Sequence, residues 1–226
     1  MQLAKILRER GRQTLLYRWW RERRRRRKKI AAIDEWKRSG KPSPPPHIIK
    51  EMIVRTHGRK HRLPILIETG TKFGDMLLGV QNDFERIYSI ELGDELVRKA
   101  RDRFARSPHV EIIHGDSGRE LKTLLQRIDR PALFWLDSHF GGAGTVRGDT
   151  DTPIMAELAH ILDAPDFDHV ILIDDARYFG TKADYPTLDE LRDLVLRRRN
   201  VDICVRYDAI RITPKRIQPA STQPAD

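Results

Sequence analysis

Short apolar segments alternate with segments of helical periodicity from about residue 63 to the C-terminal region. The apolar segments show no polar alternation, which predicts strands buried on both faces of a sheet. The predicted strands of this kind are 63–68, 86–91, 109–116, 132–137 and 168–175. The last two apolar segments, "VDICVRYD" and "AIRITP" (201–214), are close enough to pair as a hairpin.

Amphipathic segments follow these strands and predict helices between them. Two of the helices begin with capping-box patterns, Ser117 with Glu120 and Thr187 with Glu190. A strand–helix alternation of this kind predicts an α/β fold, namely a doubly wound, Rossmann-like and mostly parallel sheet with a C-terminal antiparallel hairpin.

Positive charge is concentrated in the N-terminal part of the chain. Residues 1–62 carry 21 Lys and Arg against 5 Asp and Glu, a balance of +16, whereas the whole chain has a net charge of +10. Residues 63–226 therefore carry −6. The proline-rich segment 39–47 predicts a stiff linker. We expect a basic helical arm with this linker (1–46), a Rossmann-like domain (47–214) and a disordered tail (215–226).

The arm has apolar residues near helical spacing, interrupted by Gly11, and then the run "RERRRRRKK" (21–29). Three interpretations are open for residues 1–29. The run is a solvated tail, or it anchors the chain to an anionic membrane surface with Trp19 and Trp20 at the headgroups, or it binds the phosphates of a nucleic acid. The paired tryptophans favour the membrane over nucleic acid.

The remaining composition favours a cytoplasmic protein, peripheral to the membrane if the arm binds there. No apolar run approaches the roughly 18 residues of a membrane span, and no secretory signal is visible. The single cysteine, Cys204, excludes an internal disulfide and fits a reducing compartment. Since it lies in a predicted strand, we expect a buried, inert thiol.

Acidic residues end five predicted strands: Glu68, Glu91, Asp116, Asp137, and Asp174 with Asp175. Ligands of open α/β sheets bind beyond the carboxyl ends of the strands, so we expect these side chains to line one site. Gly70 and Gly74 in the first turn let the backbone approach a ligand closely. Glu91 is placed to accept hydrogen bonds from ribose hydroxyls, whereas Ser117 either meets an adenine edge together with Asp116 or only caps its helix.

At these positions the sequence resembles class I S-adenosylmethionine-dependent methyltransferases over residues 48–212. "ETGTKFGDM" (68–76) is similar to their first motif, "YSIE" (88–91) to the end of their second strand and "IHGDS" (113–117) to their third. The resemblance implies that S-adenosylmethionine is the cofactor. The cofactor-binding residues that it implies are Glu68, Gly70, Thr71, Gly74, Asp75, Glu91, Asp116, Ser117 and Asp137.

"FWLDSH" (134–139) and "VILIDDA" (170–176) resemble the metal motifs of catechol-type and macrolide- or sugar-type O-methyltransferases. The resemblance implies that Asp137, Asp174 and Asp175 hold a divalent cation, for which three hard oxygen ligands suit Mg²⁺, with Ca²⁺ or Mn²⁺ as alternatives. His139 is the candidate proton acceptor because its ordinary pKa lies near neutrality, and Asp174 is the alternative. The loop 140–153 is a candidate lid.

These observations predict a metal-assisted O-methyltransferase that acts on a small-molecule or glycan hydroxyl. One alternative is a nucleic-acid methyltransferase that modifies a ribose 2′-hydroxyl and uses the basic arm on phosphates. The other is a non-catalytic protein with the methyltransferase fold, in which the arm does the binding. The acceptor and the oligomeric state stay open.

Overall fold

The computed structural model describes residues 15–138 and 152–215, and for residues 15–22 and 25 only the backbone. By its internal contacts the chain divides into two compact units, Met1–Lys50 and Glu51–Asp226. Among the described residues, no helix combines the length and the apolar content needed to cross a bilayer. Of the predicted tail 215–226, all but Lys215 lies outside the described residues.

The first unit contains a long helix, α1 (Leu15–Arg38), and the start of α2 (His47–His61). Helix α1 is 24 residues long and includes the whole basic run. Its end is fixed by Trp36, whose indole N–H donates to the carbonyl oxygen of Pro42 over 2.8 Å. The basic run is therefore helical.

The second unit is built around one seven-stranded sheet with the strand order β3-β2-β1-β4-β5-β7-β6. Its strands are β1 (Ile65–Thr69), β2 (Arg86–Glu91), β3 (Val110–His114), β4 (Ala132–Leu136), β5 (Val170–Ile173), β6 (Val201–Arg206) and β7 (Ala209–Pro214). All pairs are parallel except those of β7 with β5 and β6. The predicted doubly wound sheet and its C-terminal hairpin are confirmed.

Helices follow the parallel strands as the periodicity predicts. They are α3 (Asp75–Val80), α4 (Asp94–Phe104), α5 (Ser117–Leu125), α6 (Ile154–Asp163) and α7 (Leu188–Leu196), with short 3₁₀ turns at Gln81–Asp83 and Ala176–Tyr178. The central strands β1, β4 and β5 are buried at every position. This complete burial explains why their sequences carry no polar alternation.

Two helix starts show how well the capping patterns predict structure. Thr187 and Glu190 form the expected capping box at the start of α7. The prediction for Ser117 and Glu120 is wrong, because Asp116 is the N-cap of α5 and its side chain accepts from the amide of Gly118. An ionised carboxylate one residue earlier is the stronger acceptor for this amide.

The prediction of a buried thiol is also wrong, since Cys204 is exposed. It lies on β6, which is one of the two edge strands of the sheet and is partly or fully exposed at all six positions. An apolar stretch at a sheet edge has only one neighbouring strand to cover it. The position of β6 in the strand order, which the sequence does not reveal, decides the exposure of Cys204.

Candidate active site

The carboxyl ends of the central strands lie level with one another. The backbone amides of Asp137 and Asp174 continue the ladder one step beyond the strands and donate to the carbonyl oxygens of Thr69 and Leu136 over 3.2 and 3.0 Å. Since parallel strands are about 4.8 Å apart, residues that follow β1, β4 and β5 are neighbours. The acids that end these strands therefore meet on one rim.

The structure brings Asp137, Asp174 and Asp175 together. One carboxylate oxygen of each lies within 4.8 Å of the others, and Asp174 and Asp175 are buried. Opposite oxygen ligands of a hexacoordinate cation are about 4 Å apart around Mg²⁺ and about 5 Å apart around Ca²⁺. The donor set thus fits a hard divalent cation in chemistry and in spacing.

Asp175 is held in place by a residue that the sequence analysis did not single out. It has a left-handed backbone with φ of 56°, and its Oδ1 accepts a hydrogen bond from Nη1 of Arg177 over 2.8 Å. The same Arg177 nitrogen donates to Asp208, and the Arg177 amide also bonds to Asp208. A carboxylate has lone pairs to spare for a cation beside one such hydrogen bond.

Asp208 comes from the turn of the β6–β7 hairpin, where Tyr207 and Asp208 both have positive φ. Burial alone would lower the pKa of Arg177, but Tyr178, Asp175 and Asp208 together raise it. The hairpin thereby holds the Arg177 guanidinium in contact with the carboxylate of Asp175. No local sequence signal pairs residues that lie 31 positions apart.

The two glycines of the first turn are required by the packing of the chain itself. Gly70 has φ of 83°, and a Cβ at this position would lie 2.6 Å from the carbonyl oxygen of Asp137. Gly74 has φ of 69°, and its Cβ would lie 2.7 Å from the ring of Phe104. Gly70 therefore allows β1 and β4 to end side by side, which places Asp137 at the turn.

A chain of buried hydrogen bonds lies below this turn. Thr71 Oγ1 and Ser89 Oγ are 2.6 Å apart, and the Ser89 hydroxyl donates to Glu68 Oε2 over 2.5 Å. Burial raises the pKa of Glu68 well above its ordinary value, and the nearby Asp137 and Glu91 raise it further, although the Ser89 hydrogen bond opposes them. A cationic ligand would stabilise the ionised form of Glu68.

Glu91 is fixed at the end of β2. Its two carboxylate oxygens accept hydrogen bonds from the backbone amides of Lys72 and Gly93 over 2.6 and 2.9 Å. Each oxygen keeps a lone pair for a further donor. Asp75, by contrast, is exposed and forms an ion pair of 2.9 Å with Arg103, so its carboxylate is already engaged by the protein.

Asp116 and Ser117 follow β3, the strand next to β2 at one edge of the sheet. Asp116 caps α5 with its side chain, and the buried Ser117 hydroxyl donates to the hydroxyl of Ser138 over 3.0 Å. This bond links the start of α5 to the residue that follows Asp137. Asp116 therefore caps the helix in the way that was predicted for Ser117.

A small pocket opens between the ends of β4 and β5. Its polar lining consists of Asp137, Ser138, Thr152, Glu157, Asp174 and Tyr185. Leu136, Ile154 and Ile173 complete the lining. Acids and hydroxyls that converge on an apolar floor are typical of a small-molecule site.

Glu157 is the least exposed acid of this pocket, with 1% of its surface accessible. Its Oε1 has no hydrogen-bond partner among the described residues. Burial raises the pKa of Glu157 to about 7, Asp116 and Asp137 add to the rise, and the nearby hydroxyls of Ser117 and Thr69 oppose it. Its carboxyl group is therefore partly protonated at neutral pH.

The sequence did contain a signal for Glu157. It lies on the buried stripe of α6 together with Ile154, Leu158 and Ile161. A charged residue on an apolar stripe is rarely buried without a partner or a function. Tyr185, whose pKa burial raises, carries no such signal because it comes from an irregular loop.

Two predictions fall outside the described residues. These are the candidate proton acceptor His139 and, except for its last two residues, the lid 140–153. Asp174, the alternative acceptor, lines the pocket beside Asp137.

No protein-family model and no curated protein matches the sequence. Solved structures do match it. The O-methyltransferase TomG from Streptomyces achromogenes is 16% identical, with a TM-score of 0.57 over 83% of this chain and 89% of that one. An O-methyltransferase from Bacillus cereus is 13% identical, with a TM-score of 0.56 over 82% and 90%.

A third match is the methyltransferase PaMTH1 from Podospora anserina, which is 16% identical, with a TM-score of 0.53 over 82% of this chain and 88% of that one. This chain has the class I methyltransferase fold. All three structures contain S-adenosylmethionine or S-adenosylhomocysteine. At this level of identity the likeness establishes the methyltransferase fold, and the function has to be argued from the site.

Proposed function

We propose that the protein is a class I S-adenosylmethionine-dependent O-methyltransferase that is assisted by a divalent cation and acts on a small-molecule or glycan hydroxyl. The observation that carries this proposal is the meeting of Asp137, Asp174 and Asp175 within 4.8 Å, beside the turn of Gly70. The methyltransferase fold and the cofactors bound by its structural neighbours support it.

The cofactor would lie across the ends of β2, β1 and β4. In this proposal Glu91 accepts hydrogen bonds from its ribose hydroxyls through the lone pairs that the Lys72 and Gly93 amides leave open. Glu68 and Asp137 supply negative charge to its cationic amino-acid part, and Asp116 and Ser117 border the adenine. When bound, the cofactor supplies a methyl group that is already activated as a sulfonium.

The acceptor would enter the pocket between β4 and β5. The three aspartates would hold the cation there, and a bound cation lowers the pKa of a hydroxyl that it contacts. Positioning of the acceptor oxygen can supply roughly 7–11 kcal/mol of the barrier. Asp174 or His139 would accept the proton that the hydroxyl releases.

Calorimetry with purified protein tests both parts of the proposal. S-adenosylmethionine and Mg²⁺ are each titrated into the wild type and into the variant with Asp174→Asn and Asp175→Asn. We expect the variant to bind the cofactor like the wild type but to lose at least tenfold in affinity for Mg²⁺, because two of three anionic ligands are replaced. Asp202→Asn on the exposed edge strand removes an acid elsewhere and should change neither titration.

The cofactor part and the cation part of the proposal can be overturned independently of each other. Absence of cofactor binding in the wild type would overturn the methyltransferase proposal as a whole. Equal Mg²⁺ affinity in the wild type and the double variant would overturn the proposed cation site. The proposal of methyl transfer would be unaffected. A screen of hydroxylated metabolites and sugars for uptake of a labelled methyl group then identifies the acceptor.

A further inference from the structure

The basic run of α1 is a helix with charge on every side. Eight of its nine residues, 21–29, are Arg or Lys, and every side chain of the run that the structure describes is exposed: Arg23, Arg24, Arg26, Arg27, Lys28 and Lys29. An α-helix turns by about 100° per residue. Seven consecutive basic residues therefore encircle the axis almost twice.

This arrangement does not suit a helix that lies in a membrane surface. Such a helix needs an apolar face to enter the headgroup region, and residues 21–29 contain no apolar residue. A flat anionic surface would engage only the charges on one side and leave the others in water. The basic run by itself therefore offers a membrane charge but no apolar face.

A nucleic-acid duplex presents charge with a matching density and shape. Nine helical residues extend about 13 Å, and a duplex of that length carries about eight phosphates, because it has one charge per 1.7 Å of axis. The run has eight basic side chains over the same length. The major groove of DNA is about 12 Å wide, admits one α-helix and has phosphates along both of its walls.

We propose that residues 21–29 of α1 bind the phosphates of duplex DNA, with the helix lying in the major groove and independently of base sequence. Arg and Lys contacts to phosphates position a protein and carry no sequence information. Residues 63–226 carry a balance of −6 and would be repelled by phosphates, which confines the binding to the arm. The proposal rests on α1 alone and does not require the proposed methyl transfer.

The test measures fluorescence anisotropy of the full chain with labelled duplexes of about 20 base pairs, one DNA and one RNA of the same sequence, over a range of salt concentrations. The arm variant replaces four exposed arginines by glutamine, which keeps a high helix propensity: Arg23, Arg24, Arg26 and Arg27. A matched control removes four exposed positive charges from the second unit: Arg98, Lys122, Arg192 and Lys215. Circular dichroism verifies that both variants keep their helix content.

We expect the wild type to bind with a steep salt dependence. Each phosphate contact contributes about −0.9 to the slope of log K against log salt, so the arm variant should lose about 3.6 from this slope and at least tenfold in affinity at 0.1 M salt. The control should behave like the wild type. The DNA duplex should bind more tightly than the RNA duplex, because the narrow major groove of A-form RNA does not admit a helix; tighter binding of RNA would contradict the groove geometry.

Two results would overturn the proposal. Equal losses in the arm variant and in the control would mean that the net charge, and not the helix, drives binding. Flotation of the wild type with phosphatidylserine vesicles, together with absence of duplex binding at 0.1 M salt, would assign the arm to the membrane.

Discussion

Burial and not residue type determines the charge of the individual acids at the site. Glu68 and Glu157 are almost inaccessible, and burial raises the pKa of both, with Asp137 adding to the effect in each case. Glu68 of β1 and Glu157 of α6 thus respond to the same neighbour. Any positive charge that binds near Asp137 will favour the ionised form of both acids.

The raised pKa of Glu157 makes the stability of the protein depend on pH in a defined direction. The ordinary pKa of 4.5 applies to the unfolded chain and a value of about 7 to the folded one, so the folded state binds more protons between these two values. The free energy of unfolding therefore falls as pH rises from 4.5 to 7. With about 1.4 kcal/mol for each pH unit, the total loss is on the order of 3–4 kcal/mol at most.

Glu157→Gln removes this dependence with little change of shape. Relative to the wild type, we expect the variant to become more stable as the pH rises from 4.5 to 7, as measured by urea unfolding across that range. Glu95→Gln provides the control, since Lys99 lowers the pKa of the exposed Glu95. Its removal changes the pH dependence only below pH 4.5, so its profile between pH 4.5 and 7 should run parallel to that of the wild type. Parallel profiles of wild type and Glu157→Gln would show that Glu157 ionises normally.

At the scale of elements, the site depends on how closely β1 and β4 end beside each other. The turn after β1 has a left-handed residue at Gly70, and the backbone of Asp137 occupies the space where a side chain would be. A backbone carbonyl cannot rotate out of the way as a side chain can. The contact therefore couples the glycine turn to the position of the Asp137 carboxylate.

Gly70→Ala tests this coupling. The left-handed conformation costs an L-residue roughly 1–2 kcal/mol, and the clash at 2.6 Å adds to it, so we expect a loss of more than about 2 kcal/mol in urea unfolding. Gly180→Ala is the matched control. Its φ of 73° is similar, but its Cβ would have no neighbour closer than 3.5 Å. Equal losses of stability in the two variants would mean that the Asp137 carbonyl oxygen does not restrict the side chain at position 70.

The β6–β7 hairpin shows a second contribution of an element to the site. Its turn residue Asp208 is buried and holds Arg177, which in turn holds Asp175. The hairpin lies at the edge of the sheet, yet its turn reaches the rim because β7 pairs directly with β5. The antiparallel end of the sheet is therefore part of the candidate active site.

At the scale of the whole molecule, the chain joins two parts of opposite charge. Residues 1–62 carry +16 and residues 63–226 carry −6. The acidic part contains the sheet with its rim of carboxylates, and the basic part contains α1. The negative charge of the sheet part matches the proposed binding of a cationic cofactor and a divalent cation at the rim. The positive charge of α1 matches the proposed binding of a polyanion.

Binding of the cofactor product should stabilise the whole fold. A ligand at 100 times its dissociation constant adds about 2.7 kcal/mol, and each kcal/mol raises Tm by about 2–4 °C in a domain of this size. We therefore expect S-adenosylhomocysteine to raise Tm by about 5–10 °C in differential scanning fluorimetry. NADH is the control ligand, because the turn "ETGTKFGDM" lacks the dinucleotide fingerprint. A rise in Tm with NADH and none with S-adenosylhomocysteine would show that the protein binds a dinucleotide instead.

The sequence determined the sheet, the order of its strands and helices along the chain, and the acids at the strand ends. Apolar runs without alternation specify strands that are buried on both faces, and this pattern is local. The position of Asp137 after β4 and of Asp174 after β5 could be predicted for the same reason. Their convergence follows from the parallel arrangement alone.

Only the tertiary structure decided the exposure of Cys204, the contact of Asp208 with Arg177 and the raised pKa of Glu157. Each depends on which segments become neighbours after distant parts of the chain have paired. Burial and long-range hydrogen bonds are properties of that packing, and no window of sequence contains both partners. Periodicity is encoded locally, whereas the charge state of a buried acid is set by everything that surrounds it.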